Sequence, residues 1–401
     1  MKVKIYKSTP KGTLYVPPSK SYSHRYLIAA MLANSNSKIS NIYFSNDIMA
    51  TLNCLSSFGC KYNIKDDSVI ITSSNEVVDK PIFDCFESGS TLRFLIPIAL
   101  SKYDNVTFIG TEKLISRGIG VYEEIFKKQN IKIIKDKTSL TFKGHLKSGV
   151  FEVNGSISSQ FITGLLFTLP LLDGDSIIKI ISPLYSKDYV DMTLDVLSKY
   201  KINYEVDGYL IKIKGNQTYI ASDYSIEGDY SNAAFLMAFN YLGGNINVLG
   251  LNESSFQGVK VFVEYFKKLN EENATLDISN CIDLGPVLMV FAAIKHGAKF
   301  TGTSRLKIKE SDRALAIKEE LNKVGINVLI LEDEVIVYKS TLLKPTSEFN
   351  SHNDHRIAMA LSMLSVYFDI NINNAEAINK SYPHYFEELK KVGVKIEYDV
   401  E

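Results

Sequence analysis

The sequence predicts an α/β protein of two domains, three repeats in each, with apolar helices inside and strands outside. Three observations lead there. First, apolar helical runs opened by small polar residues recur through the 401 residues: SKSYSHRYLIAAML, ESGSTLRFLIPIAL, SISSQFITGLLFTLPLL, GDYSNAAFLMAFNYL, DLGPVLMVFAAI and NDHRIAMALSMLS. Anchored at Lys20, Gly89, Ser158, Asp229, Asp283 and His355, they are spaced 69, 69, 71, 54 and 72 residues apart. Second, a two-faced helix follows each run, as in DIMATLNCLSSFG and SDRALAIKEELNKVG. Third, these helices lead into short alternating stretches such as INVLILEDEVIVY, the pattern of strands with one wet face. A helix apolar on every side must be buried, and self-similarity at a near-constant period marks a repeat architecture.

The first run opens on PPSKSYSHR. Pro17 and Pro18 hold the approach extended, and Ser19 or Ser21 can cap the first turn. Lys20 and Arg25 then stand near a helix N-terminus, where a cation opposes the dipole unless an anion is held there. Arg25 snorkelling at a helix end is the alternative. Other openings carry Gly89 and Arg93; Ser158, Ser159 and Gln160; Asp283; and His355 and Arg356. Further cations stand in KIKESDR (Lys307, Lys309, Arg313), ISRGIG (Arg117) and INKSYP (Lys380). If the helix N-termini point one way, toward the other domain, a cleft collects N–H groups, dipole ends and cations. Jointly they suit a polyanion, whereas each alone reads as a surface charge. Two phosphorylated acids bring about five to six negative charges, each phosphate carrying roughly −1.5 to −2. Glu310 beside Lys309, and Asp283 at a helix start, are candidate proton-transfer groups, with a surface ion pair and a helix cap as their structural alternatives.

Composition narrows the field. Lys plus Arg equal Asp plus Glu at 45 each, so no global field draws the chain to nucleic acid or membrane. Between Lys127 and Lys147 there are seven lysines and one acid, Asp136, but IKIIK and LTFKG alternate as half-exposed strands do. Cys54, Cys60, Cys85 and Cys281 include no CxxC pair, which argues for a reducing compartment and against zinc. The start MKVKIYKST has no apolar signal core, and FLIPIAL and VLMVFAAI are too short to span a bilayer. A cytoplasmic protein is expected. There is no Gly-Lys dipeptide for a Walker A loop, and GIGVYE lacks a dinucleotide fingerprint. His352 and His355 lie three apart without an implied third ligand, so capping or anion binding is the expectation, not a metal. The domain boundary is placed at IEGDYSN: residues 1–14 and 229–401 form one domain, 15–228 the other, and two crossings serve as hinges. The first strand, KVKIY, completes the domain of the last three repeats.

PPSKSYSHR, ESGSTLR, GSISSQF, IEGDYSNAA, KIKESDR, NDHRIAMA and NKSYPHYFEEL, in this order from about residue 10 to the C-terminus, resemble the 5-enolpyruvylshikimate-3-phosphate synthase family. The resemblance implies an enolpyruvyl transferase-like inside-out α/β barrel of six βαβαββ repeats. It implies transfer of the enolpyruvyl group of phosphoenolpyruvate to the 5-hydroxyl of shikimate 3-phosphate through a tetrahedral intermediate, on the way to chorismate and the aromatic amino acids. No cofactor or metal is implied, and a monomer with two small-molecule partners is expected. Carried onto matching positions, Lys20, Ser21, Arg25, Ser158, Ser159, Gln160, Ser186, Tyr189, Asp283 and Lys309 would hold shikimate 3-phosphate. Lys20, Gly89, Arg93, Arg117, Gln160, Arg313, Arg356 and Lys380 would surround phosphoenolpyruvate. Asp283 would accept the hydroxyl proton and Glu310 donate one to the methylene, with Lys20, Lys309 and His355 assisting. Gly89 leaves room for a bulky phosphoenolpyruvate mimic such as glyphosate, so sensitivity is expected. Substrate is expected to close the cleft. Two positions depart from the family pattern: Glu87, where many members carry Asn, and Arg305, where some carry a substrate-contacting Asn. The rivals are a UDP-N-acetylglucosamine enolpyruvyl transferase, whose family has Lys-Asn where Lys20-Ser21 stands and usually a cysteine before its loop arginine, and a non-catalytic binder of phosphorylated acids.

Overall fold

Each of the six apolar runs forms a helix, and each is buried. They are Lys20–Leu32, Gly89–Lys102, Ser159–Thr168, Tyr230–Ala238, Gly285–Ile294 and His355–Ser362. The small polar residues ahead of four of them act as N-caps, each giving a side-chain oxygen to an otherwise orphaned N–H. Ser88 accepts from Thr91 N, Ser158 from Gln160 N, Asp229 from Ser231 N and Asn232 N, and Asp354 from Arg356 N.

The computed structural model describes residues 1–73 and 78–399. The chain divides into two units, Met1–Ser19 with Gly228–Glu401, and Lys20–Glu227. Three of the buried helices fall in each. Residues 15–19, which the sequence reading groups with the second unit, run with the first instead. The reason is strand pairing: Lys11–Tyr15 lies parallel to Asn245–Leu249, with Tyr15 opposite Leu249, and Pro18 bridges Gly228.

In the Lys20–Glu227 unit the three buried helices meet through aromatic rings. His24 lies edge-on to Phe94 at 6.4 Å, and Phe94 lies 6.4 Å from Phe167. Three four-stranded sheets belong to this unit. Each has a parallel pair followed by an antiparallel hairpin, as in Val150–Val153 beside Ser176–Ile180, then Leu210–Ile213 and Tyr204–Asp207. Burial alternates along Val150–Val153, one side packed and the other wet. Ile133 and Ile134 of the lysine-rich run sit in the strand Lys132–Lys135, largely exposed, so the run is a solvated strand.

The other unit repeats the pattern in two four-stranded sheets. The N-terminal strand Lys2–Ile5 runs antiparallel between Ile370–Asn373 and Ile396–Asp399. Its third sheet has only two strands, Asn245–Leu249 and Lys11–Tyr15. That truncation accounts for the short 54-residue interval between Asp229 and Asp283. Helix Phe262–Lys268 leads to strand Thr275–Asp277 with no hairpin between. Among the described residues no helix is long and apolar enough to cross a membrane.

Candidate active site

The anion-binding residues expected from the sequence fall into two sets, one in each unit. In the Lys20–Glu227 unit, Arg25 is 2% exposed on the buried face of its helix. Its Nε donates to Thr193 Oγ1 at 2.9 Å, Nη1 to the Ser21 carbonyl at 2.8 Å, and Nη2 to the Tyr189 carbonyl at 2.9 Å. Among the described residues no carboxylate pairs with it. Burial lowers its pKa to about 10, so the guanidinium stays charged at neutral pH while bonded to neutral oxygens alone. A buried cation without a counter-charge is a costly arrangement that an anionic ligand relieves. Ser186, at the N-cap of helix Lys187–Lys199, is left-handed at φ 57°, and its carbonyl accepts from Tyr189 N. Lys20 pairs with Asp47 at 2.9 Å across two helix starts.

The second group in this unit centres on Arg93. Its Nη1 donates to Gln160 Oε1 at 2.7 Å and its Nη2 to the Gly118 carbonyl at 3.1 Å. Gln160 Nε2 in turn donates to Ser90 Oγ at 3.1 Å. A Cβ on Gly89 would stand 3.0 Å from both Arg93 Nη1 and Arg117 Nη1. Gly89, Arg93, Arg117 and Gln160 are therefore neighbours, brought together from two buried helices and the ISRGIG loop.

In the other unit one buried guanidinium gathers three carboxylates. Arg313, 1% exposed, reaches Asp283 Oδ1 through Nη1 at 2.8 Å, Glu310 Oε2 through Nη2 at 2.7 Å and Asp354 Oδ2 through Nε at 2.8 Å. Lys309 Nζ is 3.3 Å and Arg356 Nε 3.7 Å from the same Asp283 oxygen. Burial alone pushes the Asp283 carboxyl up, but Lys309, Arg356 and Arg313 together hold it well below the usual range, ionised at neutral pH. Burial pulls the Lys309 ammonium down to about 8 against the attraction of Asp283. Arg356 Nη1 is buried without a hydrogen-bond partner among the described residues, a donor ready for a ligand oxygen. Lys380 Nζ donates to the Asn353 carbonyl at 2.7 Å, which joins it to the NDHR turn.

Three sequence expectations need correction or completion. His352 does not cap the helix that follows it, since Asp354 does; His352 Nε2 instead pairs with buried Glu320 at 2.7 Å. His355 is 1% exposed, with Nδ1 3.8 Å from Asp354 Oδ1. Arg305, onto which no substrate contact was carried, donates to the Ser279 carbonyl, and its charge is among those that lower the Lys309 ammonium. Sequence reasoning missed Asp47 and Asp354, though both open helices as acidic first-turn or cap residues, which is a legible signal. It also missed Thr163 and Thr193, whose hydroxyls lie 3.4 and 2.9 Å from Arg25 but which read as core positions inside helices.

Residues 6–389 match the family described as EPSP synthase (3-phosphoshikimate 1-carboxyvinyltransferase). A protein of Clostridium kluyveri named 3-phosphoshikimate 1-carboxyvinyltransferase is 42% identical over 418 residues, covering 98% of each chain. One of the same name from Clostridioides difficile is 41% identical over 429 residues, again 98% of each. The solved structure of EPSP synthase from Acinetobacter baumannii matches with a TM-score of 0.79 at 21% identity, over 99% of this chain and 100% of that one, which is a likeness of fold. Motif order, six repeats, and near-complete coverage by relatives above 40% identity agree: the chain belongs to the EPSP synthase family.

Proposed function

We propose that the chain transfers the carboxyvinyl group of phosphoenolpyruvate to the 5-hydroxyl of shikimate 3-phosphate and releases phosphate. The observation that carries the residue assignment is the pair Asp283 and Glu310, bonded to the two terminal nitrogens of Arg313 at 2.8 and 2.7 Å. Asp283, ionised among cations, is the base that accepts the hydroxyl proton. Glu310 gives a proton to the phosphoenolpyruvate methylene. Protonation leaves an electron-poor carbon that the hydroxyl oxygen attacks, forming the tetrahedral ketal; loss of a methyl proton and departure of phosphate then regenerate the vinyl group. Fixed cations hold two like-charged substrates in reacting distance and stabilise the charge that develops.

The buried, carboxylate-free Arg25 supports a place for it on shikimate 3-phosphate, with Lys20, Ser21, Ser158, Ser159, Ser186, Tyr189 and Lys309. Arg93, Arg117, Arg313, Arg356 and Lys380 serve phosphoenolpyruvate beside Gly89, and Gln160 contacts both substrates. The four cysteines are buried and form no disulfide among the described residues, which fits a reducing, cytoplasmic setting. The monomeric protein is the working unit, and size-exclusion chromatography with light scattering checks this.

The test is phosphate release with shikimate 3-phosphate and phosphoenolpyruvate, repeated with UDP-N-acetylglucosamine as acceptor. Turnover with the shikimate acceptor alone is expected. Turnover only with the sugar overturns the substrate assignment, and tight binding of both shikimate substrates without turnover overturns the enzymatic one.

A further inference from the structure

Helix Gly89–Lys102 carries Pro97 in its interior. Proline has no N–H, so the carbonyl four residues earlier, that of Arg93, loses its usual intrahelical donor. A buried carbonyl needs another partner. The hydroxyl of Tyr122 supplies one, donating to the Arg93 carbonyl at 2.7 Å. Tyr122 belongs to helix Gly120–Lys128, directly after the loop that holds Arg117 and Gly118, and is fully buried.

The same hydroxyl lies 3.1 Å from the carbonyl of Phe161, the residue after Gln160. One proton is thus shared between the backbones of two helices, next to Arg93 on one and Gln160 on the other. The side chains of those residues bond to each other at 2.7 Å. Gly164 makes the approach possible: a Cβ there would lie 2.2 Å from the Tyr122 oxygen and 2.5 Å from the Arg93 carbonyl. The Tyr122 ring also stands edge-on to Phe161 at 4.8 Å, which fixes where the hydroxyl points.

We infer that Tyr122 is a positioning residue for the phosphoenolpyruvate side of the site. Its hydroxyl stands in for the N–H that Pro97 lacks and sets Arg93 against Gln160. This rests on the proposed function, which assigns Arg93 to phosphoenolpyruvate. Tyr122 touches no substrate itself; it acts through Arg93 and Gln160.

The experiment is a double-mutant cycle of Y122F and P97A, with KM measured for each substrate. Turnover by the unaltered protein comes first: its absence overturns the functional reading, whatever the variants do. Given turnover, Y122F is expected to raise the KM for phosphoenolpyruvate at least threefold, and by a clearly larger factor than that for shikimate 3-phosphate, which of Arg93 and Gln160 only Gln160 also serves. In the P97A background, where alanine restores the N–H, removing the Tyr122 hydroxyl is expected to change the phosphoenolpyruvate KM less than twofold. Equal effects on both substrates, no effect on either, or the same loss in both backgrounds overturns the inference. Should Y122F fail to fold, P97A/Y122F is expected to be soluble, and its insolubility overturns the inference equally.

Discussion

Arg313 Nε lies 2.8 Å from Asp354 Oδ2, and neither side chain meets solvent: the arginine is 1% exposed and the aspartate 0%. Asp354 is also the N-cap of helix His355–Ser362 and accepts from Ser311 Oγ at 3.1 Å. One carboxylate therefore fixes the guanidinium that holds Asp283 and Glu310 and the helix that carries Arg356. Removing a single member of a buried ion network leaves its partners uncompensated. Arg313→Met is expected to cost about 3–5 kcal/mol and to lower the melting temperature by roughly 10 °C. Calorimetry checks this; an unchanged melting temperature would contradict the arrangement.

The role proposed for Lys309 predicts a pH limit. Its ammonium must be protonated to hold an anion, and burial places its pKa at about 8. Above that pH the free protein loses the charge, and kcat/KM for shikimate 3-phosphate is expected to fall about tenfold per unit. Stability moves the other way. Between about 8 and the unfolded lysine value near 10.4 the unfolded chain binds more protons, so this group's contribution to stability rises with pH. Activity loss without a falling melting temperature separates titration from unfolding. Lys309→Arg, charged throughout, is expected to remove the limb; a limb at the same pH in that variant would rule Lys309 out.

The proposed base, Asp283, carries its own prediction. Asp283 is held ionised by three cations, so its protonation does not limit activity at mildly acidic pH. Asp283→Asn is expected to lower kcat by about a hundredfold or more, the usual scale of general-base catalysis, with KM for phosphoenolpyruvate little changed. A kcat within tenfold of the unaltered protein would remove Asp283 from the proton path.

Much of this architecture was legible because caps and periodicity are local properties. Ser88, Ser158, Asp229 and Asp354 each precede an apolar run, and each caps a helix. The partner of a buried cation is not local. Thr163 and Thr193 sit inside helices at positions that read as core, and only packing reveals that both hydroxyls face Arg25. Three carboxylates on Arg313 were equally hidden: Glu310 is its near neighbour in sequence, but Asp283 and Asp354 come from 30 and 41 residues away. The first unit boundary was misplaced for a related reason. Tyr15 belongs with Leu249, a pairing that hydrophobic alternation cannot specify.

Gly89 offers a steric test. A Cβ there would sit 3.0 Å from Arg93 Nη1 and 3.0 Å from Arg117 Nη1, closer than ordinary contact. The ends of long side chains can yield, but Arg93 is tied by its bonds to Gln160 and the Gly118 carbonyl. A shift of a few tenths of an ångström therefore loosens bonds that orient the guanidinium, and the methyl also narrows the space before it. Gly89→Ala is expected to raise the KM for phosphoenolpyruvate by about tenfold, about 1.4 kcal/mol. It is expected to weaken inhibition by glyphosate, the bulkier mimic, by more than that factor, because the added methyl opposes the larger ligand more strongly. Steady-state inhibition with phosphoenolpyruvate varied checks both numbers. Equal losses for the two ligands would place the effect in Arg93 alone, and unchanged constants for both would mean that the arginines move aside without consequence.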